Sequence, residues 1–284
     1  MRAATLVLAA CVALVAATSG CSDKSKPSAQ PLSMASFKEK AAAAIITGSD
    51  LQAKAGFGLK VDVTAPESLN TLSLGVEEAY ASYQRDPGKL DELLKEFAAD
   101  ADARMARGNA DTSFRDVRDV ILPVLKPQTA FRRLSDQPAA TSFPGSLRVA
   151  YAVQKPASFM LVTPADLERW QQPVADIHRL ALANLLRETR RKQPLRCEEQ
   201  LCGWASGDGY DAARFIVPEL RAAIVRKIGP AVYAVPRESV YVALPIRLAE
   251  RIKGKVEHDF VTAPNPVSRD LFVERGGELV VLSQ

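Results

Sequence analysis

Apolar residues change their spacing several times along this chain of 284 residues, and each change predicts an element. Ala3 to Ala17 is an unbroken run of apolar and small residues, shorter than the roughly 20 that span a bilayer and with no basic stop behind it. Ser22 to Ser33 is rich in Ser, Lys and Pro and poor in apolar positions, the pattern of a solvated tether. Helical spacing begins with "SFKEKAAAAII", for which Ser36 offers a capping hydroxyl. "LKVDV" and "LNTLSL" read as short strands on either side of a turn at Pro66, Glu67 and Ser68. Two helices follow, "VEEAYASYQR" and "KLDELLKEFAADADARMA". In the second, Leu90, Leu93, Leu94 and Phe97 share a face and should meet the core.

Pro123 and Pro127 forbid a continuous helix in "FRDVRDVILPVLKPQTAFRRL". Ser135 to Pro144 is polar and reads as a loop, ahead of the strands "LRVAYAV" and "SFMLVT". Thr163, Pro164 and Asp166 form a helix start, with threonine as cap and proline in the first turn, and Pro173 restarts the helix toward Arg190. The last third predicts a hairpin in "LRCEEQLCGW", a strand or helix entry at "ARFIV" and a helix in "PELRAAIVRKI". Strands "AVYAV" and "SVYVALP", an amphipathic helix "PIRLAERIKGKVEH" and a hairpin turning at Gly276 and Gly277 complete it. Without a βαβ period, the expected class is α+β, with largely antiparallel strands and packed helices. The division implied is a leader over 1–20, a tether over 21–35 and one α+β region over 36–284.

The first boundary carries chemistry. Met1 and Arg2 give a positive start, and the small residues Thr18, Ser19 and Gly20 precede Cys21, which is the shape of a bacterial secretory signal. Small residues ending in Gly-Cys resemble a lipobox, at which the Cys21 sulfur receives a diacylglyceryl group and cleavage makes that cysteine the new N-terminus. The plainer alternative is an ordinary signal peptide cut near Ala17 to Gly20, with Cys21 a bystander. Cysteine arithmetic favours lipid: of four cysteines, Cys11 leaves with the leader, Cys21 takes the acyl chains, and Cys197 and Cys202 remain as a pair. Each buried methylene adds about 0.8 kcal/mol of membrane affinity, and a multiply acylated cysteine holds durably. Ser22, rather than an aspartate, follows and favours the outer membrane. The expected address is the periplasmic side of a bacterial envelope, with the membrane as first partner through Cys21.

Composition narrows the remaining classes. A 47% hydrophobic content suffices for a proper core. The formal charge of +4 becomes +3 once Arg2 leaves with the leader, a balance that gives no nucleic-acid signal.

The segments "ILPVLKP", "TPADLERW" followed by "LALANL", "GDGYDAARFIV", "AVPRESVYVA" and "NPVSRDLF", in this order, resemble the bacterial YtpQ-type family, a domain of unknown function. The resemblance covers most of the chain from Ser36 onward. It implies a mixed α+β domain and supplies no activity, cofactor or catalytic residue. The lipobox and the cysteine pair are departures from many such relatives.

Candidate chemistry is sparse. Cys197 and Cys202, across a tight turn in an oxidising compartment, should form a disulfide; four intervening residues do not suit a thioredoxin-type centre. A metal site would need further ligands, and only His178 and His258 exist, neither spaced near the cysteines. His178 reads as a core-edge residue, and His258 as a cation near a helix end. No serine-nucleophile elbow or zinc-protease helix appears. "GDGYDA" formally matches a dinucleotide fingerprint but lacks its strand, helix and acidic partner, so it reads as a glycine turn. Its Asp208, Tyr210 and Asp211, two carboxylates and a phenol, are the polar cluster to test first. "RETRRK" reads as a solvated helix end, and the helix from Pro245 to His258 as core-packed, with contact to anionic lipid as the alternative. No cofactor or catalytic residue is assigned. The expectation is an envelope binding or interaction domain with an unidentified protein or ligand, the alternative an envelope hydrolase using carboxylates.

Overall fold

The computed structural model describes residues 31–66, 68–132, 134, 137–192 and 194–282. The leader, Cys21 and the tether up to residue 30 lie outside the described residues. Leu32–Gln284 gather as one unit. The chain opens with α1 (Met34–Gly48), the hairpin β1 (Gln52–Ala55) and β2 (Lys60–Thr64), β3 (Thr71–Gly75), α2 (Glu77–Arg85) and α3 (Leu90–Arg107). Its middle holds α4 (Phe114–Val117), β4 (Ile121–Pro127), α5 (Gln128–Phe131), β5 (Ala140–Phe143), β6 (Leu147–Lys155), β7 (Ser158–Leu161), α6 (Pro164–Trp170) and α7 (Val174–Lys192). The end is β8 (Arg196–Glu198), β9 (Leu201–Trp204), α8 (Asp211–Arg214), α9 (Pro218–Ile228), β10 (Ala231–Arg237), β11 (Val240–Pro245), α10 (Ala249–Thr262), β12 (Leu271–Arg275) and β13 (Glu278–Val281).

The fold is α+β, and all strand pairs are antiparallel. One sheet runs β1-β2-β3-β7-β6-β4, the other β13-β12-β10-β11-β9-β8. β6 is the spine of the first. It pairs with β4 from Leu147 to Val153 on one edge, and on the other with β5 and then β7. The same central residues of β6 and β10 are buried on both faces, so these strands read as apolar runs rather than alternating ones. In β10, Tyr233 and Val235 turn to a core shared with β4, β6, α7 and α9, while Val232 and Ala234 turn to α10.

Local chemistry explains most boundaries. Thr163 caps α6 through a reciprocal capping box with Asp166, as its spacing predicts. Leu94 is buried and Leu90, Leu93 and Phe97 pack beside it, on the core that also takes Phe37 and Ile45 of α1. α10 seats Ala249 and Val256 on the second sheet, which decides for the core-packed reading. The hairpin β12–β13 turns at Gly276 and Gly277 as expected.

Several boundaries differ from the sequence expectation: α10 starts after a short turn at Ile246–Leu248 and runs on to Thr262, and β1 was not expected. The cap of α1 is Ser33, whose Oγ accepts from the Ser36 N–H at 3.2 Å, so the helix starts a turn earlier. Tyr80 and Tyr83 hold the preceding backbone: Tyr80 donates its hydroxyl to the Leu32 carbonyl and Leu32 N–H donates to Tyr83. Among the described residues the packing thus extends back to Leu32, ahead of the expected Ser36. The polar stretch read as a loop contains β5, because Ala140 to Phe143 find β6 as a ready-made edge.

Candidate functional site

β9 leads from the second sheet into the turn 205–210, and α8 begins at Asp211. Gly207 and Gly209 take positive φ, 74° and 81°, which lets the chain reverse twice in a few residues. The turn closes around Arg214, whose side chain is 1% exposed. Its Nε donates to Thr189 Oγ1 of α7 at 3.0 Å, and its Nη1 to Asp211 Oδ1 at 2.7 Å, Asp208 Oδ1 at 2.9 Å and Ser206 Oγ at 3.2 Å. Nη2 completes a bidentate fork on Asp208. Asp211 is fully buried and its oxygens are occupied: Ser206 N–H and Gly207 N–H donate to Oδ2, and Ser206 Oγ and Arg214 to Oδ1.

Electrostatics follows from this wiring. Burial alone would raise the Asp208 carboxyl, but hydrogen bonds from Arg214, the Tyr210 N–H and Ser206, with the guanidinium charge, hold it below the ordinary value. Tyr210 is pushed far above the ordinary phenol value, by burial first and then by Asp208 and Glu238. It stays neutral and donates to Gln154 Oε1 at 2.7 Å.

Tyr210, Gln154 and Asp208 line both of two clefts. One, of about 480 Å³, is lined by the apolar Leu122 and Leu185, by Lys155, Glu188 and Arg191, and by the Asp208–Arg214 pair. Arg191 pairs with Glu188 at 3.2 Å, whereas Lys155 makes no ion pair with any described residue. The other cleft, of about 400 Å³, is lined by Lys126, Phe159, Asn265 and Glu238 besides the shared Gln154 and Tyr210. Lys126 and Glu238 are paired there.

The structure brings Asp208, Tyr210 and Asp211 together as expected, but not in one role. Asp211 is an internal strut, Asp208 a side wall, and Tyr210 a neutral donor. The fingerprint reading of "GDGYDA" fails, because β9 delivers a double reversal in front of a helix of only four residues. His178 lies elsewhere, its Nδ1 3.1 Å from the Tyr151 hydroxyl and its pKa lowered by burial. Arg214, Ser206, Thr189, Gln154 and Lys155 were not singled out by sequence reasoning. One signal was legible: a cation inside "AARFIV" must find a partner when buried, and Asp211 stands three residues before it.

Cys197 and Cys202 face each other across β8–β9 and are joined as a disulfide, with Cα atoms 4.1 Å apart. Replacing both with serine is expected to cost about 2 kcal/mol from the closed-loop entropy. A denaturant titration with and without reductant measures this. Equal midpoints would show the bond to be idle. No family model matches this chain, and neither does any curated protein or any solved structure.

Proposed function

We propose that this protein is an envelope lipoprotein, anchored through Cys21, whose α+β body is a binding domain rather than an enzyme. The observation that carries the binding reading is the commitment of both turn carboxylates to Arg214. A general acid needs a carboxyl with a raised pKa, and a nucleophile or base needs a free oxygen. Asp208 is held ionised and Asp211 has no oxygen to offer. What the larger cleft does present is an apolar lining beside an unpaired ammonium at Lys155, a combination suited to a ligand with an apolar body and an acidic group. The proposed kinship with the YtpQ-type family is compatible with this, since that family brings no catalytic signature.

The test uses the protein purified from membranes and a fluorescent peptide alternating Glu and Leu. Saturable binding is expected, weakened about tenfold by Lys155→Glu. Hydrolysis of ester or glycoside substrates that disappears in Asp208→Asn would overturn the reading. The anchor is tested separately by radiolabelled palmitate, with incorporation and membrane fractionation both expected to fail in Cys21→Ser.

A further inference from the structure

The most exposed large apolar side chain among the described residues is Phe57, at 98%. It stands at the tip of the β1–β2 hairpin in the sequence Gly56-Phe57-Gly58-Leu59, with Leu59 also exposed at 40%. An isolated exposed apolar residue is ordinary. This one sits on a tip that is built to hold it out. Lys38 of α1 donates its ammonium to the carbonyls of Gly56 at 3.0 Å and Gly58 at 2.7 Å. The Gly56 N–H donates to the Lys60 carbonyl and the Val76 N–H to the Leu59 carbonyl, both at 2.9 Å. The loop backbone is thus tied at both ends and in the middle, while the aromatic ring touches solvent.

Three cations and two carboxylates stand about the tip. Lys38 reaches its backbone from α1, and Lys54 and Lys60 are exposed on the two strands that carry it. The Asp62 carboxylate stands opposite Lys54, lies 2.9 Å from where a Cβ would sit on Gly56, and accepts from Ser73 Oγ at 2.7 Å. Glu77 lies beside Gly75, which pairs with Lys60. An exposed aromatic and a leucine beside three lysines that outnumber the two carboxylates is an arrangement that seats at an anionic bilayer, the ring at the acyl boundary and the ammonium groups among the headgroups.

Position singles out the membrane as occupant. Lys38 belongs to the first turns of α1, and α1 is where the packed chain takes over from the segment that follows Cys21. The 10 residues from Ser22 to Pro31 reach at most about 35 Å when fully extended. An acyl group on Cys21 would therefore keep the bilayer within that distance of the start of α1, and the hairpin tip is attached to the first turns of α1 by Lys38.

We propose that the β1–β2 tip, with Phe57 inserted and Lys38, Lys54 and Lys60 around it, is a second membrane contact that orients the body on an anionic lipid surface. This rests on the proposed anchor at Cys21 and adds the face that meets the bilayer. The two are separable in experiment. Chain 21–284 carrying Cys21→Ser, and so without acyl groups, is floated with vesicles of phosphatidylglycerol and phosphatidylethanolamine, and with phosphatidylcholine alone. Binding to the anionic vesicles only is expected, reduced about tenfold by Phe57→Ser and about fivefold by Lys60→Glu, and weakened by salt. Failure of the unacylated chain to float with anionic vesicles, or equal flotation of Phe57→Ser, overturns the proposal. Both side chains are exposed, so unchanged thermal unfolding of the variants shows that a loss is not misfolding. In cells, the acylated Phe57→Ser chain still fractionates with membranes if the Cys21 anchor holds; its release would instead refute the anchor.

Discussion

Arg214→Met is expected to destabilise the protein by about 3–5 kcal/mol, the range for removing one partner of a buried ion pair. In a domain of this size that is a fall of roughly 10 °C in unfolding temperature. The side chain removed is 1% exposed and serves two carboxylates, of which Asp211 is fully enclosed. Without the guanidinium, the buried Asp211 loses its counterion, and Thr189 and Ser206 lose a donor. Arg214→Lys should recover little, because an ammonium cannot reproduce a fork that reaches Asp208, Asp211 and Thr189 at once. The triple variant with Asp208→Asn and Asp211→Asn should recover part of the loss by removing the orphaned charges.

Acid supplies an independent check. The Asp208 carboxyl is held below its ordinary 3.8 in the folded state, so its stabilising contribution is complete above that value and is lost as pH falls toward the folded pKa. The gap in urea midpoint between the native sequence and Arg214→Met should therefore be wide at neutral pH and narrow in acid below the ordinary carboxyl value. A gap of the same width in both would mean that the guanidinium acts through packing alone.

Phe215→Ala should cost a similar 3–5 kcal/mol, here through a cavity. Phe215 is fully buried, with ring centroids 5.0 Å from Phe272, 5.6 Å from Phe143, 5.7 Å from Tyr241 and 5.8 Å from Tyr233. Phe143 belongs to β5 of the first sheet and the other three to the second, so one ring mediates between the sheets. Calorimetry should show a lower transition and near-ultraviolet dichroism a weakened aromatic signal. A loss below about 1 kcal/mol would show that the surrounding rings close the gap.

Arg214 and Phe215 are neighbours in "ARFIV", and the sequence left that segment between a strand and a helix entry. Periodicity cannot resolve five residues of which four enter one core and only Arg214 turns to the polar site. Where helical apolar spacing was long, as in α3 and α7, or a capping box marked the start, as in α6, elements were legible. Where tertiary pairing supplied the order, as for β5 and for the Ala and Lys of β1, they were not. The polar cluster was legible as Asp208, Tyr210 and Asp211 because glycines and acids mark a turn. Its organiser was hidden, since the residues that meet there, Gln154, Thr189 and Arg214, come from β6, α7 and α8. The disulfide was legible from the spacing of Cys197 and Cys202 across a tight turn, which needs no knowledge of the fold.

β6 is paired along both edges and ends at Gln154 and Lys155, the residues that wall the clefts. A slip of one position would reverse which side of the sheet each of them faces. The part of the cleft wall that β6 supplies is thus limited to the final rungs of that ladder and the short bend beyond them, while the residues upstream are locked by pairing along both edges.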